Sequence, residues 1–158
     1  MTYLNTTLTL ALTLFILPAT TMATDGADQD EIRTITITGL DTMKYDVEEM
    51  VASPGETIRI EFKVVSNIPP AAMKHNIAIL DQGTDLDAFV MASISATENE
   101  YIAPDMEEQV IANTEMIGGG ETSTIEFTVP ETPGEYTFVC TFPGHYQAGM
   151  VGILRVDG

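Results

Sequence analysis

From Ile32 onward, apolar and polar residues alternate in short runs broken by glycine and proline. Ile32, Thr34, Thr36 and Thr38 face one way and Arg33, Ile35 and Ile37 the other, which predicts a first strand. Gly39 to Asp41 ends that run, and Met43–Val47 reads as a short second strand. Ser53-Pro54-Gly55-Glu56 is a turn signal leading into Thr57–Val65. There Ile58, Ile60, Phe62 and Val64 share a face while Arg59, Glu61 and Lys63 point to water, the pattern of a half-buried strand. Asn67–Ala72, with Pro69-Pro70, is loop, and His75–Leu80 is expected to alternate as one further strand.

Residues 84–113 break the pattern, with fewer β-branched positions and more Ala, Glu, Asp and Met. Asp85–Ala92 predicts a short helix, Asp105–Glu108 a turn after Pro104, and Val110–Thr114 a return to strand. Gly118-Gly119-Gly120 is a flexible turn, Thr122–Val129 alternates again, and Tyr136–Cys140 and Val151–Val156 complete the series. Seven or eight short strands with Gly/Pro turns predict an all-β, antiparallel β-sandwich. The 84–113 segment is too long for a hairpin turn and is expected to form a partly helical flap.

The N-terminus follows a different rule. Leu8–Leu17 is almost wholly apolar, Pro18 ends the run, and Ala19–Ala23 is small apart from Met22. Residues 1–23 therefore read as a secretory signal with cleavage near Ala23, although Met1–Thr7 carries no Lys or Arg. The competing reading is an uncleaved anchor, since Tyr3–Ala23 approaches the ~20 residues that span a bilayer. An acidic lead, residues 24–31, connects this segment to one domain covering 32–158.

Composition narrows the functional classes. The chain has 24 acidic and 6 basic residues, all beyond residue 23, giving a net charge of −18. Such a surface repels nucleic acid and anionic lipid; it favours a basic partner or serves solubility in salt. The chain has one cysteine, so no internal disulfide is available to an exported protein. A lone thiol in an oxidising compartment is a liability unless buried or held by a metal.

Cys140-Thr-Phe-Pro-Gly-His145-Tyr-Gln-Ala-Gly-Met150 is the densest cluster of soft and borderline ligands in the chain. Thiolate, imidazole and thioether suit copper, whereas a hard cation selects carboxylates. Cys140 ends one strand and Met150 precedes the next, while Pro143-Gly144 bends His145 back toward Cys140. The chain has one other histidine, His75, at a strand start after the Pro69-Pro70 loop. Two imidazoles and a thiolate in a plane, with a weak axial thioether, make an electron-transfer copper site. Each ligand alone has a plainer explanation: an ordinary histidine, a small buried cysteine, a core-filling methionine. The four together favour one copper ion cycling between Cu(II) and Cu(I), with no position left for a small-molecule substrate. Phe142, Pro143 and Tyr146 beside His145, with the loop ending at Met73, are expected to form an apolar docking patch.

These residues resemble the cupredoxins, the azurins and auracyanins in particular. Thr34–Thr38, Met73-Lys-His-Asn-Ile-Ala-Ile-Leu80, Ile117-Gly-Gly-Gly-Glu-Thr122 and Gly134–His145 carry the likeness, which covers residues 32–158. The resemblance implies a Greek-key sandwich with His75, Cys140 and His145 as equatorial ligands and Met150 as the axial one. It implies that Asn76 braces Thr141 and the thiolate region, and that the Phe142 N–H donates to the sulfur. Lys74 stands where azurins have glycine, which puts a distant axial carbonyl contact in doubt. The His145–Met150 spacing is one residue longer than azurin's and matches auracyanin's. The implied role is electron exchange with redox proteins, in the periplasm or another extracytoplasmic space, membrane-tethered only if the N-terminal segment is retained. The rival readings are copper storage or delivery, a cupredoxin domain working as part of an oxidase, and zinc occupancy.

Overall fold

The structure is a computed structural model and describes residues 1–2 and 32–158. The signal, the anchor alternative and the acidic lead lie outside the described residues. Among the described residues no helix is long and apolar enough to cross a membrane.

Among the described residues eleven strands form three sheets: β1 (Arg33–Leu40), β2 (Lys44–Tyr45), β3 (Glu49–Ala52), β4 (Thr57–Val65), β5 (Lys74–His75), β6 (Ala78–Leu80), β7 (Val110–Asn113), β8 (Ile117–Gly118), β9 (Thr122–Thr128), β10 (Gly134–Val139) and β11 (Val151–Val156). One sheet has the order β2-β1-β4-β9, the second β3-β11-β10-β6-β7, and β5-β8 form a two-stranded ribbon. The expected sandwich is present, but two pairings, β1 with β4 and β3 with β11, run parallel. Each parallel pair is made by a chain that crosses to the other sheet before returning, as β3 does between β1 and β4.

The core follows from the alternation. Ile58, Ile60, Phe62 and Val64 of β4 are buried and meet Tyr136 and Phe138 of β10 and Leu154 and Val156 of β11 in one cluster. At about 25 cal/mol per Å² of apolar area removed from water, this cluster is the main favourable term in the fold. Cys140 and Met150 belong to the same cluster, so the site is built into the core's end.

The segment expected as one strand, His75–Leu80, is two. Its first part, β5, pairs with β8, whereas β6 pairs with β10 and β7. Every residue from His75 to Leu80 is buried, so alternation is lost. The cause is a second cluster: Ala78, Leu80 and Val139 are covered by Phe89, Val90 and Ile102 of the flap. A strand covered on both faces reads as a continuous apolar run.

The flap contains α1 (Leu86–Ser93), capped by Asp85, whose carboxylate accepts from the Ala88 N–H. Two 3₁₀ turns follow, Thr97–Asn99 and Pro104–Gln109. Between them Glu100 and Tyr101 both adopt positive φ, 52° and 55°. The Gly118-Gly119-Gly120 run is less a free turn than expected, because Gly118 pairs with Lys74 in the ribbon.

Candidate metal centre

His75 lies at the end of β5, Cys140 one residue past β10, and Met150 one residue before β11. The two adjacent strands β10 and β11 thus deliver both ends of the ligand loop to one edge of the sandwich. Three backbone bonds close that loop: Cys140 N–H to Met150 O (3.1 Å), Met150 N–H to His145 O (2.9 Å) and His145 N–H to Phe142 O (3.1 Å).

The donor atoms converge. His75 Nδ1 and His145 Nδ1 are 3.0 Å apart, and Cys140 Sγ is 3.9 Å from the first and 3.5 Å from the second. Cys140, His75 and Met150 are fully buried, and His145 keeps 3% of its surface exposed. Among the described residues this is the one group of three or more His, Cys, Asp or Glu placed to hold a metal ion. Met150 is held beside Cys140 by the backbone bond and by packing in the same cluster.

The electrostatics suit a cation. The pKa of both imidazoles is lowered to about 4, chiefly by burial; for His75 the neighbouring His145 contributes to the lowering, against a smaller opposing effect of Asp41. Both rings are therefore neutral at pH 7 and have a lone pair to give. Two such lone pairs 3.0 Å apart repel unless a proton or a cation lies between them. His75 Nε2 is buried with no hydrogen-bond partner, so this ring gains little from the protein alone. Burial pushes the Cys140 thiol up to about 12, opposed by the backbone N–H groups of Asn76 and Phe142. Those two N–H groups favour a thiolate, which a metal ion would complete. The residues present thus form a cluster suited to one copper ion.

The surrounding shell is hydrogen-bonded. Asn76 Nδ2 donates to Thr141 Oγ1 (2.9 Å), and Asn76 Oδ1 accepts from the Thr141 N–H (2.9 Å). Three contributors carry no ligand-type signal in the sequence. The Glu100 carbonyl accepts from Asn76 Nδ2 (3.3 Å) and Thr141 Oγ1 (3.2 Å). Lys44 Nζ donates to the Gly149 carbonyl (3.0 Å), and the Tyr45 hydroxyl to the Asn76 carbonyl (2.6 Å). The two residues of β2 thus tie down both segments that carry the candidate ligands. Gly149 has φ of 86°, where a side chain would be strained and would collide with Lys44 Nζ. Gly39 of β1 lies against the His75 ring: a Cβ there would sit 3.1 Å from Cδ2 and 3.0 Å from Phe62 Cζ.

A match to the family of copper binding proteins described as plastocyanin/azurin covers residues 33–157. The chain is a cupredoxin. It is 32% identical to azurin of Alcaligenes faecalis over 77% of this chain and 96% of that one. Similarity to the outer membrane protein H.8 of Neisseria gonorrhoeae is also 32%, over 70% of this chain, and spans only 60% of that protein's length. Among solved structures, reduced auracyanin of Roseiflexus castenholzii superposes with a TM-score of 0.70 and 36% identity, covering 79% of this cupredoxin and 97% of the auracyanin.

The residues expected near the surface divide. Phe142, Pro143 and Tyr146 are half-buried beside His145, and in the Asn67–Ala72 loop Asn67 and Pro69–Ala72 are exposed. Met73 is 8% exposed and contributes packing more than surface. Phe142 stacks on His145 at 4.8 Å and meets Tyr101 edge-on at 5.4 Å. Lys74 lines a cleft of about 250 Å³ with Pro70, Glu100, Tyr101, Met116 and Phe142.

Proposed function

We propose that this cupredoxin is a type 1 blue copper protein carrying single electrons between redox proteins outside the cytoplasm. The observation that carries the reading is the meeting of His75 Nδ1, His145 Nδ1 and Cys140 Sγ within 4.8 Å of one another in a buried site. His75, Cys140 and His145 would hold the ion, and Met150 would offer it a thioether donor. Bound copper supplies a one-electron couple. The chain's own contribution is to keep the donors in place in both states. Rigid strands deliver Cys140 and Met150, the Asn76–Thr141 pair locks the residue after the cysteine, and two N–H groups hold the sulfur's charge.

His145 is the imidazole nearest the surface, so its edge, framed by Phe142, Pro143 and Tyr146, is the exit for the electron. Burial excludes water from the other donors and leaves no open position for a substrate, which is why the role is carriage and not catalysis. The outer-membrane designation of the H.8 relative agrees with a location outside the cytoplasm, free or membrane-tethered.

The test is the visible spectrum of the copper-loaded protein. A strong thiolate-to-copper charge-transfer band, absent in Cys140→Ser, is expected. Copper bound in equal amount by both proteins without such a band would refute the assignment. Copper that a mild chelator strips within seconds would favour delivery over electron carriage.

A further inference from the structure

We propose that α1 of the flap forms the outer half of the partner-docking face, and that it receives a redox protein whose apolar contact patch is rimmed by lysine and arginine. This rests on the electron-carrier reading and names the partner chemistry that the same site takes.

Three observations converge. Asp87, Met91 and Ile94 follow one another at i, i+4 and i+7, so they form one stripe along α1 and the residue after it. Met91 is 61% and Ile94 36% exposed, two of the few large apolar side chains the described surface leaves open. A soluble protein normally scatters such residues singly, and a shared stripe marks a contact surface. Methionine suits a surface that must fit a partner briefly, because its side chain is flexible and polarizable.

The stripe is joined to the metal loop. Tyr146 Oη donates to Asp87 Oδ1 at 2.9 Å, and the Tyr146 ring packs in the flap cluster with Leu86 and Met106. The residue adjoining His145 therefore abuts the first residue of the stripe. A partner seated over the edge of His145 meets α1 next.

The charge decides what kind of partner. Every ionisable Lys or Arg lies outside residues 75–154, so the whole flap carries one sign. Asp85, Asp87, Asp105, Glu107 and Glu108 are all exposed, and none forms an ion pair among the described residues. The body of the sandwich differs, since Arg33, Arg59, Lys63 and Arg155 each have a carboxylate within 4.0 Å. Two cations lie near the metal loop, Lys44 at Gly149 and Lys74 beside Phe142, but both come from segments outside the flap. The stripe itself, set among the flap's carboxylates, is complementary to an apolar patch with a basic rim. A second copy of this chain, with its −18 charge, is repelled by the same field.

The experiment measures electron exchange between the copper-loaded protein and a lysine-rich cytochrome c by stopped flow, across a salt series. The expected rate falls by about tenfold or more as salt screens the attraction. Met91→Lys at low salt is expected to lower the rate by a similar factor with the visible spectrum unchanged. Val51→Lys adds the same single positive charge at an exposed apolar position of β3, paired with Arg155 at the end of β11 away from Met150, and is expected to change the rate less than twofold. Equal effects of the two substitutions, or a rate indifferent to salt, would overturn the proposal. So would Met91-dependent self-association in sedimentation, which would make a second copy the occupant. If the unsubstituted protein lacks the thiolate band, the electron-carrier reading has failed; an intact band with an indifferent Met91→Lys sinks the docking proposal alone.

Discussion

Replacing Asn76 by alanine tests whether the ligand segments are braced by hydrogen bonds or merely packed. Asn76 is fully buried, and its Oδ1 is the acceptor for the Thr141 N–H at 2.9 Å. Its Nδ2 donates to Thr141 Oγ1 at 2.9 Å and to the Glu100 carbonyl at 3.3 Å. Alanine leaves the Thr141 N–H buried without a partner, which costs about 2 kcal/mol. Glu100 O keeps its second donor, Thr141 Oγ1, at 3.2 Å, so it is not orphaned. The lost side-chain volume adds about 1 kcal/mol for an unfilled space. The expected loss is thus about 3 kcal/mol, read by urea unfolding of the metal-free protein so that copper affinity does not enter. Faster exchange of the Thr141 amide with solvent deuterium should accompany it. A loss under about 1 kcal/mol, with Thr141 exchange unchanged, would show that the bonds are replaced by water and the bracing argument is wrong.

Four further outcomes follow from the same geometry. Lys44→Met removes the donor to Gly149 O and is expected to cost about 1 kcal/mol and to shift the visible band of the copper form, because the Met150 segment loses its tether; an unchanged spectrum would leave Lys44 without a role at the site. Gly39→Ala places a Cβ about 3 Å from both Phe62 and His75, so a loss of 1–3 kcal/mol in unfolding experiments and weaker copper binding are expected. Lowering pH should destabilise the metal-free protein between pH 6.5 and about 4. In that window the unfolded histidines bind protons that the buried His75 and His145 refuse, so stability is full above 6.5 and lost as pH falls, by on the order of 3 kcal/mol for the first ring protonated; urea midpoints flat across that range would contradict the burial argument. Tyr146→Phe removes a half-exposed bond to Asp87 and should change stability by less than about 0.5 kcal/mol.

The strands with one wet face were legible because their alternation survives in the residues: Thr57–Val65 and Val151–Val156 have the predicted bounds. His75–Leu80 misled for the opposite reason, since the flap buries its outer face and erases the period that would mark a break. Glu49–Ala52 was missed because a four-residue strand with an exposed glutamate at its start has too short a pattern to read; only its parallel partner β11 defines it. The Cys140–Met150 cluster was visible as residue types at close spacing. Glu100 was not, because its work at the site is done by a carbonyl that every residue possesses. Lys44 was hidden by distance, 105 residues from Gly149 along the chain.

The most direct measurement of the central claim is X-ray absorption at the copper edge, on oxidised and reduced protein. One short sulfur scatterer and two imidazoles are predicted in both states, with little change on reduction and loss of the sulfur in Cys140→Ser. A shell of nitrogen and oxygen alone, or a ligand set that changes with oxidation state, would contradict an electron carrier built from His75, Cys140 and His145.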